Sequence, residues 1–142
     1  MSQRLSTKPV SKDYHSLVSR PAPPHNMEAE QGLLGSLLVS NNGLERISHI
    51  LTPDHFYATV NGRIYAAILS LIDRGQSASP VTLKPYFEND PDLDGFGGAA
   101  YLADLAANVI NILNTEAYAL TIRDCHHRRM LRQHHDLGAD LD

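Results

Sequence analysis

Only one cysteine, Cys125, stands among the 142 residues. An intrachain disulfide and a cysteine-rich zinc site are both excluded, and a lone thiol on a helix is most often a small buried apolar residue. Long apolar runs are missing as well. None approaches the roughly 20 residues that span a bilayer, and the first residues lack the apolar core of a secretory signal. A soluble, intracellular protein without membrane partners is the expectation. Lysine is scarce: after Lys12 there is only Lys84, which has no glycine-rich surroundings. The GxxxxGK[ST] phosphate loop is therefore absent, and ATP hydrolysis is not expected of this chain. Serine, histidine and aspartate occur in no activation motif, and Asp90, Asp92 and Asp94 lack the glycine and glutamate placement of a calcium loop. No catalytic or cofactor-binding residue is assigned.

What is present is apolar material, 42% of the chain, enough for one globular domain with a core of its own. Charge divides by segment. Residues 1–27 carry +3, residues 28–116 carry −7, and the remainder is balanced, for a total of −4. A body of that sign repels a phosphate backbone, so nucleic acid is not an obvious ligand of the globular part. The cluster Arg123, Arg128, Arg129 and Arg132 remains as a local exception.

Residues 1–22 are polar, without hydrophobic periodicity, and end in a proline cluster, which reads as a disordered arm. The folded domain, residues 23–113, opens on PPHNMEAEQGLLGSLL. Asn26 is a natural N-cap, and Glu28 and Glu30 suit the positive end of the helix dipole. Leu33, Leu34, Leu37 and Leu38 make a broad apolar face, while Ala29, Gly32 and Ser36 line another face with little side-chain volume. Two glycines inside a helix cost roughly 1 kcal/mol each against alanine, so another backbone should pack closely on Gly32 and Gly35. The plainest reading is the central helix of a small bundle.

Ser40 to Gly43 supply a turn, and Leu44, Ile47, Ile50 and Leu51 space out a short amphipathic helix. Phe56 and Tyr57 are expected to anchor an irregular turn against the core. Asn61 opens the strongest remaining helix, with Ile64, Tyr65, Ile68, Leu69 and Ile72 on one face and Gly75 as its stop. Pro85 argues for a helix capped by Thr82, because a start at Pro80 would set its ring against the carbonyl of Val81. A loop from Asn89 to Gly98 leads to a helix over Ala99 to Ala107 with Tyr101, Leu102 and Leu105 inward. The only strand character lies around Val109 to Leu113. Asn114 then caps a long last helix, so residues 114–142 form the third segment of an all-α chain.

In this order and spacing, PPHNMEAEQGLLGSLL, LTPDHFYATVNGRIYAAILSLIDRG, PVTL, GGAAYLADLA and NTEAYALTIRD resemble the N-terminal domain of bacterial replicative DNA helicases of the DnaB family. The resemblance covers about residues 23–132. It implies a compact orthogonal bundle of about six helices that self-associates in a hexameric ring and helps recruit primase. It also implies that ATP and Mg are used, and DNA is engaged, by a separate C-terminal motor absent from this chain, in the bacterial cytoplasm at the replication fork. As an isolated domain the chain would be monomeric or dimeric. Departures from the usual pattern are Gly32, where alanine would be common, and the His126-His127 and His134-His135 doublets.

The last helix changes character along its length. Tyr118, Ile122 and Cys125 share a face that continues into Arg129, Arg132 and Asp136, while apolar character moves to Met130, Leu137 and Leu141, with Leu131 beside them. The distal half is expected to join a helical hairpin completed beyond Asp142 and to make intersubunit contacts; a frayed helix end is the plainer alternative. Candidate protein-contact residues are thus Gly32, Ser36, Met130, Leu131 and Leu137, with Arg128, Arg129 and Arg132 for acidic partner surfaces. A rival function is a helical nucleic-acid-binding module using Arg123 to Arg132. No intrachain metal site is expected: in the last helix the residues four after His126 and His127 are Met130 and Leu131, and His127 and His134 lie roughly 10 Å apart along the axis.

Overall fold

The computed structural model describes residues 22–109 and 114–141, with side chains of the last helix through Gln133. The described residues form six α-helices and contain no strand: α1 Met27–Val39, α2 Leu44–Ile47, α3 Thr59–Asp73, α4 Pro80–Phe87, α5 Ala100–Ala107 and α6 Thr115–Leu141. Three 3-10 turns, Asn41–Gly43, Pro53–His55 and Pro91–Phe96, connect them. No helix of the described residues is long and apolar enough to cross a membrane. Most of the N-terminal arm and the stretch 110–113 lie outside the described residues.

Helix α1 begins where the sequence predicts, with Asn26 Oδ1 accepting from the Ala29 amide at 2.9 Å. Its leucines Leu33, Leu34 and Leu37 are completely buried, each a gain of roughly 1.5–3 kcal/mol over exposure. The small-residue face is covered by the chain itself. A Cβ built on Gly35 would stand 2.2 Å from the backbone oxygen of Leu105 in α5, and one on Gly32 would stand 2.8 Å from the Tyr118 ring of α6. The absence of side chains there lets α5 and α6 lie directly on α1, which is the axis of the bundle.

Two expectations about helix starts need correction. Asn61 does not open α3, which starts at Thr59. It is buried one turn inside and belongs to a polar network: its Nδ2 donates to Glu30 Oε1 at 3.0 Å, and its Oδ1 accepts from the Tyr101 hydroxyl at 2.7 Å. Glu30, only 2% exposed, reaches across from α1 to accept from the Tyr57 amide at 2.7 Å and the Ala58 amide at 3.3 Å. A carboxylate of one helix thus serves the amide-rich start of another. Helix α4 likewise starts at Pro80, not after Thr82, with Pro85 inside it. Ser79 Oγ accepts from the Thr82 amide at 3.2 Å while Thr82 Oγ1 accepts from the Ser79 amide at 2.8 Å, a reciprocal capping box. The helix carries Pro85 in its interior, held by this cap at its start and by the burial of Leu83 and Phe87 in the core.

The rest of α3 follows its pattern, with Ile64, Tyr65 and Ile68 fully buried and Gly75 at φ +77 ending the helix. The Tyr65 hydroxyl donates to Leu51 O at 2.9 Å. Arg63 fastens α3 to the Pro91–Phe96 turn through Asp90 and, at 2.8 Å, Asp92. Asn41 holds the segment before α4, donating to Ala78 O at 2.9 Å and accepting from the Ala78 amide at 3.0 Å.

Candidate functional site

Helix α6 is 27 residues long, about 40 Å, and only its first part belongs to the core. Ala119 and Ile122 are buried and Tyr118 half-buried against α1. One turn beyond Cys125 the same face carries Arg129. Its guanidinium donates to Pro24 O and His55 O, both at 2.7 Å, and lies 5.5 Å over the Tyr57 ring. Tyr57 is itself exposed and stacked on His25 at 4.1 Å, so Phe56 alone anchors that turn in the core. The arginine satisfies carbonyls that no helix ladder reaches and fixes the exit of α6 from the bundle.

The predicted contact residues therefore separate. Ser36 is buried, its hydroxyl donating to Gly32 O at 2.8 Å, and presents no surface. Gly32 is half-buried and borders an open groove of about 580 Å³ with Glu28, Gln31, Phe96, Tyr101 and Tyr118. Arg129 directs Nη1 and Nη2 to carbonyls within the chain. Arg128 is exposed and pairs with Asp124 at 3.1 Å, and Arg132 donates to Ala22 O at 3.3 Å. Met130 and Leu131 are 45% and 70% exposed. The Leu137 side chain lies outside the described residues, as do those of His134, His135 and Leu141.

Leu120, 41% exposed, belongs with Leu131, since eleven residues bring a helix back to within about 20°. The spacing is visible in the sequence; that Leu120 and Leu131 stay exposed among the described residues is not. On another face of α6, that of His126 and Arg129, the Pro53–His55 turn sits against the helix. The rings of His55 and His126 are 4.6 Å apart, and His127 stands edge-on to His55 at 6.2 Å. Burial pushes the His55 imidazole below its ordinary value, with His126 adding to the shift, and burial lowers His126 too, followed by the charge of Arg129. The Thr52 hydroxyl holds the Asp54 carboxyl below the usual carboxylate range.

Residues 22–124 match the family described as the DnaB-like helicase N terminal domain. The chain belongs to that family. It is 38% identical over 102 residues to the replicative DNA helicase DnaC of Bacillus subtilis, covering 72% of this chain and 22% of that protein. It is 35% identical to the replicative DNA helicase DnaB of Treponema pallidum, covering 77% and 25%. With the Rickettsia bellii DnaB the identity is 33%, over 87% of this chain and 25% of the relative. The chain thus spans about a quarter of the length of these curated relatives. The crystal structure of the N-terminal domain of DnaB helicase from Mycobacterium tuberculosis superposes with a TM-score of 0.68 at 31% identity, over 79% of this chain and 81% of that one. The all-α bundle of the DnaB N-terminal domain is therefore the fold of this chain. The family match ends at residue 124, so Met130 and Leu131 lie just beyond it.

Proposed function

We propose that this chain is a non-catalytic assembly and recruitment domain of a hexameric replicative DNA helicase. It self-associates within the ring and binds primase, while a separate motor uses ATP and Mg to unwind duplex DNA at the fork. The observation that carries this reading is the helix α6. It is anchored at its exit by Arg129 yet leaves Leu120, Met130 and Leu131 in solvent, an arrangement suited to docking on another protein. As an isolated domain the chain is expected to dimerise weakly and reversibly, in the bacterial cytoplasm.

The nucleic-acid-binding alternative would use Arg123, Arg128, Arg129 and Arg132. Arg129 is bound to two carbonyls and Arg128 to Asp124, which leaves little of that cluster for phosphates. Mixing the chain with the helicase-interacting domain of its own organism's primase, and separately with single-stranded DNA, tests the two readings. Primase binding with negligible DNA affinity is the expected result. DNA binding that weakens with salt by about one log-log unit per phosphate contact, without primase binding, would favour the alternative.

A further inference from the structure

Within α6 no two histidines stand three or four residues apart to chelate one ion, but the fold brings a second source of ligands. The Pro53–His55 turn places Asp54 and His55 beside His126, so that one carboxylate oxygen and two imidazole nitrogens lie within 4.8 Å of one another. We propose that Asp54, His55 and His126 bind a divalent cation of the zinc type, which fastens the middle of α6 to the Pro53–His55 turn.

The donor set fits that chemistry. Two imidazoles and a carboxylate are borderline ligands that suit zinc and its first-row neighbours, and three protein donors leave one tetrahedral position for water. Ligand atoms around such an ion stand about 3.4 Å apart, so the cluster must contract by little more than 1 Å. Rotation of the exposed Asp54 and the half-buried imidazoles supplies this without moving backbone. The framework is held in advance. Pro53 opens the turn, the Thr52 hydroxyl orients Asp54, and Arg129 holds the His55 carbonyl to α6. The Thr52 amide donates to His55 Nδ1 at 3.2 Å, a bond that yields whichever ring nitrogen takes the ion. That amide is at the surface, where water replaces the lost partner. Arg123 and Arg129 flank the cluster and oppose a cation, which sets the expected affinity in the micromolar rather than nanomolar range.

The test is titration of the chelator-treated chain with Zn2+ by calorimetry and with Co2+ by visible absorption, each alone, together with thermal melts. One equivalent per chain, a Co2+ band from nitrogen and oxygen ligands, and a raised Tm are expected. His126→Gln and His55→Gln should each weaken binding by about tenfold or more and abolish the rise in Tm. The His134→Gln, His135→Gln double variant should bind as the parent does. Far-UV circular dichroism establishes that each variant is folded. His126 stands on a helix surface and tolerates glutamine, so a folded variant that has lost the site is available. Unchanged affinity in folded His126→Gln, loss of binding in the His134, His135 variant, half an equivalent per chain, or no uptake at about 100 μM metal would each overturn the proposal.

Discussion

Single side chains here act across the bundle more than along the sequence. Gly35 is fixed by contact: a methyl group would meet the backbone oxygen of Leu105, which cannot turn aside. Gly35→Ala is expected to destabilise the fold by about 1–2 kcal/mol net, because overpacking exceeds the helix propensity gained. At Gly32 the obstacle is the far edge of the Tyr118 ring, which can shift, so Gly32→Ala should cost less than Gly35→Ala in urea denaturation. Glu30 has three donors pointing at it, and Glu30→Ala strands two amides and Asn61 in the interior. A loss of about 3 kcal/mol in the same experiment is expected, with Glu30→Gln recovering part of it. Tyr65 gives the pH response. Burial pushes its phenol up to about 12, and in the unfolded chain it ionises near 10. The folded pKa is the higher one, so its contribution is complete below about pH 10 and is lost as pH rises toward 12. Alkaline melts should show this loss, and Tyr65→Phe should flatten it.

At the scale of the helix, sequence periodicity located α1, α3, α5 and α6 because their apolar faces repeat over several turns. It did less well where local and tertiary demands compete. Asn61 carries the signature of a cap, but its partners Glu30 and Tyr101 are 31 and 40 residues away, and nothing local announces them. Pro85 points to a later start for α4 because its ring penalty is local and plain, whereas the Ser79–Thr82 box departs from the usual Ser-x-x-Glu signature. Arg129 looked like a surface cation because projection cannot show that Pro24 and His55 place their carbonyls beside it. The Asp54, His55 and His126 group was hidden for the same reason. Arg129→Ala should therefore speed amide exchange in residues 123–133 with chelator present, whereas Arg128→Ala, which removes only an exposed i,i+4 pair, should leave it unchanged. Equal effects from the two would contradict the clamp.

On the scale of the whole molecule, a helical bundle with a completed core continues into a helix that outruns it. Membership of the DnaB N-terminal family accounts for the bundle over residues 22–124, and the anchored extension past that point is where we place assembly. The account stands on exposed apolar side chains that do not stabilise the domain carrying them. Sedimentation equilibrium of the chain over a range of concentrations, compared with a Met130→Asp, Leu131→Asp double variant of the same helicity, tests it most directly. The account predicts reversible dimer formation by the parent chain and a monomer at every concentration for the variant. Identical mass profiles for the two would contradict it.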